Sequence, residues 1–236
     1  MKIVLFGYGK MGKEVEKIAL ERGHEVILKI EEDEEYDLSE ADVAIDFSVP
    51  KAAFYNITSC FKKNIPVISG TTGWLEDYEK AITICKENNG SFIYASNFSI
   101  GVNLFFELNK KLSRIMNSKN NYSQSIEEIH HTKKLDAPSG TAITIAEQTI
   151  KNSSKKEWCL HTSLTKVDKE IIPISSKRIK DTPGTHIVAY ESEIDSIEIK
   201  HTAHNRKGFA HGAIIAAEWL INKNGVYTMK DVLNLE

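Results

Sequence analysis

"KIVLFGYGKMGKEVEKIALERG", residues 2–23, is the stretch whose reading decides the fold. Lys2 to Phe6 form a short apolar run of strand-forming residues, and Gly7-Tyr8-Gly9-Lys10-Met11-Gly12 follow at once. The remainder sets Met11, Val15, Ile18 and Ala19 on one helical face and closes at Gly23. In a strand–turn–helix context the glycines of G-x-G-x-x-G serve in turn for a tight turn, for close approach of the backbone to a pyrophosphate, and for close packing of helix on sheet. The pyrophosphate would rest on the free N–H groups and positive dipole end of the helix. A glycine-rich turn without a ligand is the alternative reading. Glu31, just past the next strand signal, suits a hydrogen bond to a ribose diol.

Working outward, "EVILKI" (25–30), "DVAIDFS" (42–48), "PVISGT" (66–71) and "SFIYAS" (91–96) repeat the strand signal, with helical patterns at 51–63 and 75–88. Such alternation predicts a Rossmann-type α/β domain: a parallel sheet with right-handed crossovers. The link 31–41, "EEDEEYDLSEA", is too short and acidic for a crossover helix and reads as a compact loop. Asp46 reads as a cap of the turn after its strand.

From about residue 102 the rhythm changes. A long amphipathic stretch, "VNLFFELNKKLSRIMN", precedes β-like runs at 124–131, 157–165, 171–178, 186–191 and 194–202, interrupted by a helix after Ser139. This predicts a second, α+β domain with a mixed sheet. The tail "FAHGAIIAAEWLINKNG" is helical, with Ala213, Ala216, Ala217 and Leu220 on one side, and is expected to return to the first domain. The expected limits are 1–101, completed by 209–236, for the dinucleotide-binding domain and 102–208 for the second domain.

Composition excludes several classes of function. With 41% hydrophobic and 27% charged residues the chain is ordinary globular material, and a net charge of -3 leaves no footprint for nucleic acid or an anionic membrane. No apolar run reaches the roughly 18–20 residues of a membrane span, and the first residues are too briefly apolar for a signal peptide, so a cytoplasmic location is expected. Cys60, Cys85 and Cys159 are far apart and odd in number, and read as buried thiols rather than a disulfide or zinc framework. His201-x-x-His204 lacks a third ligand at matching spacing, and no metal is expected.

Two further turns belong with the first glycine loop. Gly70-Thr71-Thr72-Gly73 follows the fourth strand and Ala95-Ser96-Asn97-Phe98-Ser99 the fifth, at the carboxyl ends where open α/β sheets bind ligands. Singly each could be a well-capped turn; together they point to a nicotinamide cofactor.

The chemistry concentrates in "EIHHTKKLDAPSGTA", residues 128–142. His130 and His131 are adjacent, so on a strand they face opposite sides and do not share a metal. Pro138 and Ser139-Gly140-Thr141 open a helix carrying Ala142, Ile145, Ala146 and Ile150 on its apolar face. Free N–H groups and two hydroxyls at that start suit a carboxylate, although a plain helix cap has the same pattern. With His130 for proton transfer and Lys134 nearby, the stretch reads as an acid/base site for a small carboxylated substrate.

In Glu128, His130, His131, Lys134, Asp136, Ala137, Pro138, Ser139, Gly140, Thr141 and Ala142 the chain resembles the 4-hydroxy-tetrahydrodipicolinate (dihydrodipicolinate) reductase family, whose signature is E-x-H-H-x-x-K-x-D-A-P-S-G-T-A. The resemblance extends to the glycine loop, "DVAIDFS", "GTTG", "NFSIGVN" and "RKGFAHGAIIAAEWL", and departs at 31–41 and 151–193. It implies a two-domain homotetramer in the diaminopimelate route to lysine, with hinges near 100 and 208, that reduces a cyclic imine carrying two carboxylates; the domain 102–208 would bind substrate and make the oligomer. His130 would be the proton donor, Lys134 would bind and polarise the substrate, and His131, Ser139, Gly140 and Thr141 would hold it. The cofactor would lie on residues 7–12, Glu31, Phe47, Ser48, Gly70, Thr71, Thr72, Ala95, Ser96, Asn97 and Phe98. The family often places a basic residue beside the acidic one after the second strand, but here Glu31 to Glu35 is an acidic run, so NADH is expected over NADPH. Lys10 and Lys13 keep NADPH usable. A dinucleotide-sensing protein without catalysis and an aspartate-family dehydrogenase are the rival readings.

Overall fold

The computed structural model describes residues 1–31, 36–161, 168–205 and 207–235. Two compact units divide it, Met1–Asn103 with Arg206–Glu236, and Leu104–Asn205.

The first unit is a parallel sheet with the order β11-β5-β4-β3-β1-β2. Its strands are β1 (Lys2–Phe6), β2 (Glu25–Ile30), β3 (Val43–Asp46), β4 (Val67–Ser69), β5 (Ser91–Tyr94) and β11 (Gly225–Tyr227). Helices α1 (Lys10–Glu21), α2 (Pro50–Lys62) and α3 (Tyr78–Glu87) make the crossovers, and α6 (Lys207–Leu220) and α7 (Met229–Val232) come from the tail. Strands buried on both faces alternate their side chains between two cores. Ile3, Leu5, Val43, Ile45, Ile68 and Ile93 meet Val15 and Ile18 of α1 and the alanine face of α6. Val4, Phe6, Ala44, Val67 and Phe92 meet Ile57, Phe61 and Ile82 from α2 and α3. The tail packs in this unit, and it adds β11, a strand too short to give a sequence signal of its own. In the link after β2, residues 32–35 lie outside the described set, and 36–42 contain no helix.

Helix ends in this unit are closed by left-handed residues. Gly23 does so for α1, while Asn64 and Asn89 take φ of 55° and 48° after α2 and α3. In each case two N–H groups fold back on the last turn; after α3, Asn89 N donates to Lys86 O at 3.2 Å and Gly90 N to Cys85 O at 2.7 Å.

The second unit contains a mixed sheet ordered β10-β9-β6-β8-β7. The strands are β6 (Ser123–His130), β7 (Glu157–Leu160), β8 (Ile171–Arg178), β9 (Gly184–Glu191) and β10 (Ser196–Ala203). Strand β6 is central, antiparallel to β9 and parallel to β8. The two helices are α5 (Gly140–Asn152) and most of α4 (Ile100–Met116), joined where Asn109 Nδ2 donates to Ile145 O at 3.1 Å. The strand expected over 157–165 ends at Leu160, and residues 162–165 lie outside the described set. Cys60 and Cys85 are buried as expected, whereas Cys159, on the outermost strand β7, is only half-buried.

Gly12 is needed for packing: a Cβ there would lie 2.3 Å from the carbonyl oxygen of Gly7. Backbone cannot yield as a side chain would, so Gly12→Ala should cost about 1–3 kcal/mol of stability and lower the thermal midpoint by several degrees. A melting curve unchanged from the parent would show that the turn relaxes without strain.

Candidate active site

Alternation along β6 sends Gln124, Ile126, Glu128 and His130 to one face of the sheet, all buried. The neighbouring strands place partners in the same row. His186 of β9 and Ser176 of β8 stand directly opposite Glu128, His201 of β10 stands opposite His186, and Arg178 stands opposite His130. Residues from four strands thus converge on the site through sheet register alone.

Glu128, fully buried, is the centre of this row. Its Oε1 accepts from Ser176 Oγ at 2.8 Å and Arg178 Nη2 at 3.2 Å, and its Oε2 accepts from the backbone N of Ser139 at 3.0 Å. Nδ1 of His130 lies 3.2 Å from Oε2 but without the alignment of a full hydrogen bond. Burial alone would raise this carboxyl; contacts from His130, Ser139 and Ser176 outweigh it and hold Glu128 well below the usual carboxylate range.

His130 packs edge-on against His186, with ring centroids 5.1 Å apart. Gly184, the first residue of β9, gives the ring its space: a Cβ there would stand 3.0 Å from His130 Nε2. Burial first, and then the nearby His130 and Lys134, push His186 down to about 3 against the pull of Glu128, so that it is neutral. Glu128, His130 and His186 offer donor atoms within 4.8 Å of one another. A cation there would compete with the Arg178 guanidinium for the same carboxylate, and the geometry reads as a proton-linked cluster.

Ser139 caps α5, its Oγ accepting from Ala142 N at 3.3 Å. That Oγ also lies 3.2 Å from His186 Nε2, to which the hydroxyl can donate, and the residue is only 2% exposed. The Ser139 side chain thus faces inward, and its N–H donates to Glu128. Gly140 is exposed, with nothing within 4 Å of its Cβ position, and Thr141 is half-buried. Their N–H groups, in the first turn, have no intrahelical acceptors. His131 lies just past β6, where the chain turns and Lys134 N donates to His131 O at 3.1 Å; its Nδ1 is buried without a partner among the described residues. Lys134 Nζ rests 2.8 Å from Asp136 Oδ2, and that ammonium lowers the Asp136 carboxyl.

In the first unit the residues expected to hold a cofactor lie at the carboxyl ends of β1 to β5, on the loops that follow the strands and, for Lys10, Met11 and Gly12, in the first turn of α1. The glycines differ in what they permit. Gly7 has φ of 86°, and a Cβ on Gly7 or Gly70 would strike Phe47, at 2.2 and 2.1 Å, whereas that of Gly9 meets nothing within 4 Å. The loop is therefore closed behind and open where a pyrophosphate would approach, a fit to a dinucleotide. Buried Asp46 does more than cap a turn. It accepts from Ser48 Oγ at 2.5 Å, Ser69 Oγ at 2.7 Å and Asn56 Nδ2 at 3.3 Å, while Ser48 N donates to Thr71 Oγ1 at 2.9 Å. Burial raises its carboxyl against these bonds. Tyr8 donates to Glu16, which also pairs with Lys29 at 2.5 Å, and Lys29 lies 4.5 Å from the centre of the Tyr8 ring. Ala95, Ser96, Asn97 and Phe98 follow β5, with Asn97 Oδ1 accepting from Ser99 N at 2.9 Å.

Sequence reasoning missed Arg178, Ser176, Gly184 and His186, and gave Glu128 no role. Only the register of β8 and β9 against β6 could have found them, since none of the four is near residues 128–142 in the chain.

Two family profiles match the chain: "Dihydrodipicolinate reductase, N-terminus" over residues 1–98 and "Dihydrodipicolinate reductase, C-terminus" over 101–233. The 4-hydroxy-tetrahydrodipicolinate reductase of Christiangramia forsetii is 58% identical, the alignment covering 99% of this chain and 98% of the relative. That of Thermosipho africanus is 36% identical over the same shares of the two chains. Among solved structures, a dipicolinate-bound dihydrodipicolinate reductase from Paenisporosarcina sp. TG-14 superposes with a TM-score of 0.73 at 21% identity, covering 97% of each chain, which shows a shared fold. The chain belongs to the dihydrodipicolinate reductase family, the NAD(P)H-dependent 4-hydroxy-tetrahydrodipicolinate reductases of diaminopimelate and lysine biosynthesis.

Proposed function

We propose that, in reducing 4-hydroxy-tetrahydrodipicolinate to tetrahydrodipicolinate, His130 is the proton donor and Lys134 the cation that binds and polarises the substrate. The observation that carries this reading is the buried row His186–Glu128–Ser176, which ends on His130 beside the open first turn of α5. A nicotinamide held by the loops of the first unit supplies the hydride when bound. Hydride at a ring carbon conjugated to C=N leaves electron density that one proton must quench, and a histidine suits that transfer near neutral pH. Nδ1 of His130 faces Glu128, which leaves Nε2 to carry the transferable proton. N–H groups of Gly140 and Thr141, with the Thr141 hydroxyl, His131 and Lys134, hold the carboxylates. The dipicolinate bound by the solved relative is a dicarboxylate of this class.

The proposal extends to a homotetramer built through the sheet face opposite α4 and α5, whose rows include Ile129 and Ile187. It includes no resident metal. Among the described residues no helix is long and apolar enough to cross a membrane, and a cytoplasmic location accords with a biosynthetic enzyme.

For the coenzyme the reading is NADH preferred, NADPH usable. Glu31 is exposed directly after β2, positioned for a ribose diol, and the charge of Lys29 is spent on Glu16. Lys10 and Lys13 remain to meet a 2′-phosphate; Glu32, Asp33, Glu34 and Glu35, which would oppose it, lie outside the described residues.

Three measurements test these roles. Consumption of reduced nicotinamide on enzymatically generated substrate should fall about 10²–10⁴-fold in kcat for His130→Gln with coenzyme affinity unchanged, and near-normal turnover would move the proton donor elsewhere. Thr141→Val should raise KM for the substrate, whereas Ser139→Ala should cost about 1 kcal/mol of stability by loss of the cap. A raised KM with unchanged melting in Ser139→Ala would return its hydroxyl to the substrate. Comparing kcat/KM for the two coenzymes at low and high salt should favour NADH in both; an NADPH preference that fades with salt would show Lys10 and Lys13 outweighing the acidic run.

A further inference from the structure

Arg178 and Glu128 stand outside every role assigned so far, yet they meet the connection that carries Lys134 at both ends and in its middle. Strand β6 ends at His130 and α5 begins at Gly140, and the chain between them, which carries Lys134, has no regular structure. Glu128 stands at both ends of this connection, accepting from Ser139 N at 3.0 Å and lying 3.2 Å from His130 Nδ1. Arg178 grips its middle: Nη2 donates to Asp136 O at 2.6 Å and Nε to Lys134 O at 3.4 Å. The guanidinium is itself held by Glu128 Oε1 at 3.2 Å, and Ile179 N donates to His130 O at 2.8 Å, so the end of β8 is zipped to the end of β6.

We propose that the Glu128–Arg178 pair is the positioning device of this active site, the carboxylate orienting the His130 imidazole and the guanidinium holding the backbone that presents Lys134. The inference rests on the reading of His130 as proton donor and Lys134 as substrate-binding cation. Neither member of the pair needs to touch substrate. A lysine could supply the charge at position 178, but not a planar fork reaching a carboxylate and two carbonyls at once. Stability alone does not explain a charged pair here, because removing two charges from water offsets much of their attraction, and an apolar pair of similar volume would pack as well. What the pair provides is geometry: proton transfer requires the donor nitrogen within hydrogen-bond reach of its target, and a misplacement of about an ångström costs on the order of a hundred-fold.

Groups that act through one another give non-additive substitutions, and double-mutant cycles on kcat and KM read this directly. Glu128→Gln, close in shape, should lower kcat about ten-fold or more with coenzyme affinity unchanged, yet cost less than about two-fold when added to His130→Gln. Arg178→Lys should raise the substrate KM about ten-fold, and by less than about two-fold in the Lys134→Ala background. Effects that multiply in both cycles, or single variants with parental kinetics, would overturn the proposal; multiplication at Arg178 alone would mean that it meets the substrate itself. Circular dichroism and melting of each variant accompany the kinetics. Should Glu128→Gln fail to fold, the Arg178–Lys134 cycle, at partly exposed residues, decides the matter. Failure of the underlying reading looks different: His130→Gln and Lys134→Ala would then each retain parental rates.

Discussion

A carboxylate buried without partners would take up a proton or unfold its surroundings, and the second unit is arranged to prevent this at Glu128. Its hydrogen bonds come from a guanidinium and a hydroxyl of β8 and from the N–H of the residue that caps α5, with a histidine of β6 itself 3.2 Å away. Those demands set the register of the central strands and bring the helix start against the sheet. The same demands place His130, Lys134 and the open N–H groups of Gly140 and Thr141 in one neighbourhood. The site is therefore a by-product of satisfying one ion, with no separate scaffold for each functional group.

The first unit solves a related problem with Asp46. It too is a buried acid at the carboxyl end of a strand, and it ties Ser48, Asn56 and Ser69 together where the cofactor loops begin. The partners differ in kind. Hydroxyls and an amide surround Asp46, and burial moves its carboxyl upward; at Glu128 contacts from His130, Ser139 and Ser176 outweigh burial and hold the carboxyl low, with a guanidinium also at 3.2 Å.

Much of this was legible in the chain. The parallel sheet followed from apolar runs alternating with helical periods, and the glycine loop from its position between strand and helix. The family signature in residues 128–142 is dense enough to mark the site. Elements whose meaning depends on register were not legible: a Gly at 184 or an Arg at 178 has no local pattern, and its role exists only once β8 and β9 lie beside β6. Ser139 shows a different limit: serine before a helix suits either an anion or the helix's own N–H groups, and its burial is what the structure adds. Strand β11 was missed because Gly225, Val226 and Tyr227 carry too few residues for a period; pairing with β5 makes it a strand.

The end of α3 bears on how long the protein lasts as a molecule. Asn followed by Gly is the sequence most given to spontaneous loss of ammonia, because a glycine nitrogen can swing onto the asparagine carbonyl and close a five-membered ring. At Asn89-Gly90 that nitrogen is donated to Cys85 O at 2.7 Å, and Gly90 is buried, with Phe61 Cδ1 3.0 Å from where its Cβ would be. Ring closure would have to break the helix cap at a buried glycine. The chain's other Asn-Gly step in this unit, Asn224-Gly225, leans on the first, its glycine nitrogen donating to Gly90 O at 2.9 Å. The motif that terminates the helix thus also shields two vulnerable points of the backbone against chemical ageing.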